Sequence, residues 1–174
     1  MIDLETVDTK ITAGIVSIAA VEFDLKRGKT GHHYYAGVGL DNAKLSGTYS
    51  KSTLSWWKGL GEEVNKQLKP RDPIPLHDAL IGLSDFIQNT IGIDQVNVWG
   101  NGSVFDIGIL NYHYGRLGIV EPWKFWNIKD VRTLCNLGNI HKRDIEFVGD
   151  EHNPTDDCLH QIRMCYEAYW RVNR

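Results

Sequence analysis

Residues 15–24 read Ile-Val-Ser-Ile-Ala-Ala-Val-Glu-Phe-Asp, a long apolar run rich in β-branched side chains. Such a run predicts a buried β-strand. A short strand is expected before it at residues 1–6, and a third at residues 33–40 after the turn Arg27-Gly28-Lys29-Thr30-Gly31. Because the links between these strands are short and rich in turn residues, they favour an antiparallel meander.

Helical and strand patterns alternate through the rest of the chain. Residues 53–68 carry apolar side chains at helical spacing, with Ser52 as the expected cap. The later elements are predicted as a helix, a strand, a helix, a short strand and a helix, at residues 76–91, 95–100, 104–116, 124–128 and 129–137. A last helix begins at Asn153 and Pro154. This order is that of the ribonuclease H-like fold, so we predict a single α/β domain over residues 1–174, with a mixed five-stranded sheet whose first strand is central.

Bulk properties restrict the function. A chain of 174 residues with 42% hydrophobic and 24% charged residues is typical of one globular domain. No apolar stretch is long enough to cross a bilayer, and Asp3 and Glu5 lie where a signal segment would begin, so we expect a cytoplasmic protein. Three cysteines without a Cys-x-x-Cys motif argue against a disulfide or a zinc site. The net charge of -3 argues against a protein that coats nucleic acid, but not against an enzyme that handles a few nucleotides.

Five residues far apart in the chain combine four carboxylates with one imidazole: Asp3, Glu5, Asp106, His152 and Asp157. Asp3 and Glu5 are two apart on the first strand, so both side chains point to one face. Asp106 lies in the first turn of a predicted helix, and His152 and Asp157 flank the start of the last helix. Carboxylate oxygens are ligands for Mg²⁺ or Mn²⁺, and imidazole can take a proton near neutral pH. Together they match the needs of a two-metal phosphodiesterase.

Each of these residues also has an ordinary structural explanation. An Asp-x-Glu pair on a strand is usually a solvated face, and a lone His152 is usually a surface loop residue. Asp106 and Asp157 would suit helix N-termini, where a carboxylate meets the positive end of the dipole. Asp156, three residues after Asn153, is expected to take a capping-box-like role, which leaves Asp157 for metal binding. The joint pattern is much less expected by chance, because residue type, order and local context agree.

Several longer stretches surround these residues. In chain order they are Thr53-Leu54-Ser55-Trp56-Trp57, Val98-Trp99-Gly100-Asn101-Gly102-Ser103-Val104-Phe105-Asp106, Pro122-Trp123-Lys124-Phe125-Trp126-Asn127-Ile128-Lys129-Asp130-Val131-Arg132-Thr133 and His152-Asn153-Pro154-Thr155-Asp156-Asp157. The chain thereby resembles the DEDDh group of 3′→5′ exonucleases, and within it the compact family that includes the mycobacterial polyadenylate-directed exoribonuclease and phage exodeoxyribonuclease A. The similarity extends over nearly the whole chain.

The resemblance implies a role for each of the five residues. Asp3, Glu5, Asp106 and Asp157 would hold two Mg²⁺ or Mn²⁺ ions, and Asp3 would bridge both. His152 would be the general base. The product would be a nucleoside 5′-monophosphate released from the 3′ end, and a homodimer is expected from the resemblance alone.

The candidate substrate contacts are Leu4, Thr6, Trp56, Trp57, Asn101 and Ser103. The resemblance implies that the first two contact the terminal nucleotide. Trp56 and Trp57 cannot both face inward on one helix. One of them is therefore expected near the substrate, where it could stack on a base, or at a subunit contact. The turn residues Asn101 and Ser103 could hydrogen-bond a sugar or phosphate, or could be ordinary turn residues.

The predicted function is therefore a metal-dependent 3′→5′ exonuclease on single-stranded nucleic acid, with RNA somewhat favoured over DNA. Two alternatives remain open. The first is a phosphodiesterase on very short oligonucleotides or nucleotide esters, and the second is a non-catalytic adaptor with the same fold. The presence of all five residues argues against the adaptor.

Overall fold

The structure is a computed structural model that describes residues 1–174, apart from the side chain of Glu63. The first three strands are β1 (Ile2–Thr6), β2 (Ile15–Asp24) and β3 (Lys29–Gly37). They form an antiparallel sheet in the order β1-β2-β3, which confirms the predicted meander. Strand β3 lies earlier in the chain than predicted, because residues 40–46 form a helix.

The remaining elements follow in the order α1 (Leu40–Ser46), α2 (Lys51–Gly59), α3 (Glu62–Asn65), α4 (Leu76–Thr90), β4 (Val98–Gly100), α5 (Ser103–Leu117), β5 (Ile128–Asp130), α6 (Val131–Leu137) and α7 (Pro154–Val172). Short 3₁₀ turns occupy Lys66–Leu68, Phe125–Asn127 and Lys142–Asp144. The strand predicted at residues 124–128 is therefore a 3₁₀ turn that leads into β5. Strands β4 and β5 pair in parallel.

The predicted arrangement of one five-stranded sheet with a central first strand is not confirmed. In the three-stranded sheet β2 is central and β1 is at the edge, while β4 and β5 form a separate two-stranded sheet. Strand β4 packs beside β1 without a hydrogen-bonded ladder. One physical reason is that the backbone N–H of Leu4, on β1, is directed at the Asp106 carboxylate.

The helix predicted at residues 53–68 is interrupted. Gly61 has a φ of 88°, in the left-handed region that favours glycine, and it separates α2 from α3. The start of α2 is also earlier than predicted. Ser50 rather than Ser52 is its cap, because the Ser50 side chain accepts a hydrogen bond from the backbone N–H of Thr53 at 3.1 Å.

Helices cover both faces of the β1-β2-β3 sheet. Ile18 and Ala20 of β2 belong to a core cluster with residues of α4 and α5, whereas the alternating Ala19 and Val21 pack with residues of α6 and α7. This explains why β2 is apolar without interruption. As predicted, Cys158 and Cys165 are small buried residues of the second cluster. Among the described residues, no helix combines the length and apolar content that a membrane crossing requires.

Candidate active site

Strand β1 presents two of the five predicted residues. Asp3 pairs with Ala19 of β2, and Glu5 pairs with Ser17, so both acids point to the same face of the sheet. The intervening Leu4 is buried in the core cluster of the opposite face, as predicted. Glu5 is almost fully buried, with 7% of its surface exposed.

Asp106 reaches β1 from the first turn of α5. The left-handed Gly102, with a φ of 95°, begins α5 directly after β4, and this brings Asp106 beside the strand. Backbone N–H groups of Leu4 and Asn101 are directed at its carboxylate. A Cβ atom on Gly100 would lie 3.1 Å from Oδ2 of Asp106, so the glycine leaves the space that this buried carboxylate occupies.

His152 and Asp157 are joined through the backbone at the start of α7. His152 has a φ of 67°, an uncommon conformation for a residue with a side chain, and its N–H donates to Oδ2 of Asp157 at 2.9 Å. Asn153 caps α7 as predicted. The capping-box role predicted for Asp156 is wrong, because Asp156 accepts a hydrogen bond from the N–H of Asp150 instead.

The four carboxylates act on one another electrostatically. Burial, and then the charges of Asp106, Glu5 and Asp157, raise the pKa of Asp3 well above its usual range. Burial, followed by the charges of Asp157 and Asp106, raises the pKa of Glu5 to about 9. The acids predicted to converge from both ends and the middle of the chain therefore lie close enough to repel one another.

Asp106 and Asp157 are also harder to ionise than ordinary aspartates. Burial raises the pKa of Asp106 to about 7, although the surrounding N–H groups and the charge of Arg132 lower it. Burial likewise raises the pKa of Asp157, against the hydrogen bond from His152. Such a group of acids must bind protons or cations at neutral pH.

Three of the five residues form a compact group of potential ligands. Glu5, His152 and Asp157 each offer one atom, and these atoms all lie within 4.8 Å of one another. Among the described residues, this close group contains only these three. Asp3 and Asp106 lie outside it, and their relation to it is electrostatic, because the charge of Asp106 raises the pKa of Glu5 and the charges of Glu5 and Asp157 raise the pKa of Asp3. Carboxylate oxygens with one imidazole fit Mg²⁺ or Mn²⁺. In this geometry His152 is a candidate ligand as well as a candidate base.

A pocket of about 480 Å³ adjoins Glu5. We call it the Trp56 pocket, and its lining includes Leu4, Glu5, Thr6, Asp8, Trp56 and Phe105. Both predicted contacts of the terminal nucleotide, Leu4 and Thr6, are in this lining. An aromatic and hydroxyl-bearing wall beside the carboxylates has the chemistry to hold a nucleoside.

The two tryptophans of α2 have different environments. The Trp56 side chain is 47% exposed, lines the pocket and lies edge-on to the His152 ring at a centroid distance of 5.0 Å. Trp57 is fully buried, and its indole N–H donates to the carbonyl of Thr6 at 2.9 Å. A substrate contact therefore stays a prediction for Trp56, whereas Trp57 is a core residue that supports β1.

The turn before α5 is occupied by contacts within the protein. The side-chain oxygen of Asn101 accepts a hydrogen bond from Nε of Arg132 at 3.3 Å. The N–H of Ser103 donates to Oδ2 of Asp130 at 2.7 Å. These contacts favour the structural explanation for Ser103, while Asn101 also lines a second pocket beside Asp157.

Gln161 is a site residue that the sequence analysis missed. Its Nε2 donates to Oδ1 of Asp3 at 2.7 Å. Gln161 follows Asp157 by one helical turn, so the spacing on α7 could have indicated that both face β1. By fixing one oxygen of Asp3, Gln161 orients the carboxylate at the centre of the acidic group.

Comparisons with known proteins show the family of this chain. Residues 1–170 match the model of a family described as the 3′-5′ exoribonuclease Rv2179c-like domain, and the chain belongs to that family. It is also similar to an exodeoxyribonuclease of Enterobacteria phage T4, with 32% identity over 146 residues. That alignment covers 75% of this chain and 56% of the phage protein, so the chain spans only about half the length of this curated relative.

Proposed function

We propose that this chain is a metal-dependent 3′→5′ exonuclease that releases nucleoside 5′-monophosphates from single-stranded nucleic acid. The observation that carries the proposal is the convergence of Asp3, Glu5, Asp106 and Asp157. Burial raises the pKa of all four carboxyls, and the charges of the neighbouring acids raise the pKa of Asp3 and Glu5 further. Membership of a 3′-5′ exoribonuclease-like family and similarity to a phage exodeoxyribonuclease support the same activity.

The four acids would hold two Mg²⁺ or Mn²⁺ ions. When bound, these ions would supply Lewis acidity at the attacking water and at the leaving 3′ oxygen. His152 would accept the proton of the attacking water, and its position within 4.8 Å of Glu5 and Asp157 supports this role. Its left-handed backbone, fixed by the hydrogen bond to Asp157, would orient the ring over the carboxylates.

The terminal nucleoside would occupy the Trp56 pocket. Trp56 would stack on the base, an interaction worth about 1–3 kcal/mol in single-strand binders, while Leu4 and Thr6 would contact the sugar. The family description names RNA and the phage relative's name indicates DNA, so the comparisons leave the sugar open. We further propose that RNA is favoured over DNA, that the fold is ribonuclease H-like, and that the protein is a cytoplasmic homodimer.

The proposal is tested by incubating the protein with 5′-labelled single strands of matched RNA and DNA, with Mg²⁺, Mn²⁺ or a chelator. A ladder that shortens one nucleotide at a time from the 3′ end is expected with metal, and no cleavage with chelator. Asp157→Asn should lower the rate by at least about a hundredfold. The matched control is Asp41→Asn, which changes an acid outside the site, in the first turn of α1.

Two outcomes would contradict the proposal. Cleavage that survives both chelation and Asp157→Asn would exclude a metal-dependent reaction at this site. Cleavage confined to dinucleotides, with longer strands left intact, would favour the phosphodiesterase on short substrates.

A further inference from the structure

A second pocket, of about 380 Å³, lies between α6 and α7. We call it the Arg132 pocket, and its polar lining includes Asn101, Arg132, His141, Lys142, His160 and Gln161. Asp157 also lines it, whereas Glu5 lines the Trp56 pocket, so the two pockets border different members of the acidic group. A strand that extends across Glu5 and Asp157 could therefore contact both pockets.

The rim of the Arg132 pocket is basic. Arg132 and Lys142 are exposed, and their contacts leave cationic donors available: Nε of Arg132 donates to Asn101 at 3.3 Å, and Nζ of Lys142 lies 3.2 Å from Glu151. The Lys142–Glu151 pair is solvent-exposed, so it holds the lysine only weakly. A phosphate could engage both side chains through charge-assisted hydrogen bonds.

The interior of the same pocket holds buried polar atoms without partners. Oε1 of Gln161 and both ring nitrogens of His160 have no hydrogen bond to any described part of the chain. His160 is 2% exposed, and the nearby carbonyl of Glu146 does not reach hydrogen-bond geometry with its ring. Buried polar groups are normally satisfied, so unpartnered groups that line a pocket point to a polar ligand or water.

The charges of the two pockets indicate which pocket would hold the 3′-terminal nucleoside and which would hold the rest of the strand. The 3′-terminal nucleoside carries no phosphate beyond the scissile one, which suits the Trp56 pocket with its aromatic wall and the acids Glu5 and Asp8. The strand on the other side of the scissile linkage carries a further phosphate, which the basic rim would attract.

On the basis of the proposed exonuclease function, we propose that the Arg132 pocket binds the phosphate immediately 5′ to the scissile linkage. Arg132 and Lys142 contact its oxygens, and the unpartnered polar atoms of His160 and Gln161 lie behind them in the pocket interior. The pocket is thus a subsite for the strand that remains after cleavage, and it holds the strand in register for the next nucleotide.

The test compares two 5′-labelled strands of eight nucleotides. They are identical except that one carries an uncharged methylphosphonate at the linkage next 5′ to the scissile one. The measured quantity is the ratio of kcat/KM for the first cleavage of the charged strand to that of the neutral one. Because both strands use the same metal centre, a general effect of a substitution on catalysis cancels in this ratio.

The native protein is expected to prefer the charged strand by about tenfold or more. Arg132→Gln and Lys142→Gln should each reduce that preference at least about threefold, and the double variant should bring the ratio near one. Arg27→Gln is the matched control, because it removes the same charge from an exposed residue outside the pocket, beside Asp24. It should leave the ratio unchanged.

A native ratio near one, or an undiminished ratio in the double variant, would overturn the subsite. If the charged strand is not shortened at all in the presence of Mg²⁺ or Mn²⁺, the proposed exonuclease function fails instead. Circular dichroism of each variant shows whether it is folded. If one single variant does not fold, the charge preference of the other single variant tests the subsite.

Discussion

Replacing Glu5 with glutamine should stabilise the metal-free protein while removing a proposed metal ligand. Glu5 is buried beside Asp106 and Asp157, and its pKa rises from 4.5 to about 9 in the folded state. Glutamine has nearly the same shape but carries no charge. The substitution should therefore remove the free energy that the fold loses by enclosing this acid.

The size of the effect depends on pH. In the unfolded chain Glu5 ionises near its usual pKa of 4.5, whereas the folded state keeps the proton up to about pH 9. The folded state thus binds more protons in this window, so the stability of the native protein falls as pH rises from 4.5 to 9. At 1.36 kcal/mol for each pH unit above 4.5, the loss is about 5 kcal/mol at pH 8 and about 1 kcal/mol at pH 5. Glu5→Gln should recover most of this loss.

The assay is urea unfolding in the presence of a chelator, followed by tryptophan fluorescence at pH 5 and pH 8. Glu5→Gln should exceed the native protein in the free energy of unfolding by several kcal/mol at pH 8, and by much less at pH 5. Glu22→Gln is the matched control, because the pKa of Glu22 is shifted in the opposite direction from that of Glu5. Hydrogen bonds from His32 lower the pKa of Glu22, so its replacement should not stabilise the protein. An equal gain at both pH values, or none at pH 8, would refute the reasoning.

Three further predictions concern the same site. Binding of Mg²⁺ or Mn²⁺ at pH 7 should release about one proton or more from the carboxyls of Asp3 and Glu5, as measured by titration calorimetry in two buffers of different ionisation enthalpy; zero release would contradict the raised pKa values. Trp57→Ala should lower the free energy of unfolding by about 3–5 kcal/mol, whereas Trp56→Ala should leave stability nearly unchanged and raise KM about tenfold; the reverse pattern would exclude stacking on Trp56. Gln161→Leu should weaken metal binding at least about tenfold, because Asp3 loses its 2.7 Å hydrogen bond; unchanged affinity would make that contact incidental.

The sequence was a good guide to the site because its signals are local. Asp3 and Glu5 share a face through the two-residue period of a strand, and Asn153 caps α7 because its side chain accepts a backbone N–H. Such rules depend only on neighbours in the chain. They identified the shared face of Asp3 and Glu5 and the start of α7 correctly, although other elements differ from the prediction: residues 40–46 form an unpredicted helix, and residues 125–127 form a 3₁₀ turn instead of a strand.

Features that depend on partners distant in the chain were less predictable. The separation of β4 from β1 accompanies a long-range contact, in which the Asp106 carboxylate faces the backbone N–H of Leu4 on the strand edge. The burial of Trp57 rather than Trp56 depends on the carbonyl of Thr6, which accepts the indole N–H. Neither contact can be predicted from the residue pattern of one segment, because each joins residues that are far apart in the chain.

The position of His152 illustrates why roles in the site need coordinates. The sequence pattern His-x-x-x-x-Asp gives the spacing of His152 and Asp157, but not the left-handed backbone at His152. That conformation is compatible with the hydrogen bond from the His152 N–H to Asp157, and it accompanies a ring within 4.8 Å of Glu5 and Asp157. A histidine so placed can take a proton or bind a cation. Because the N–H of His152 donates to the Asp157 carboxylate, loss of that carboxylate should disturb His152 as well as the proposed metal site, and the effects of substituting the two residues should not add.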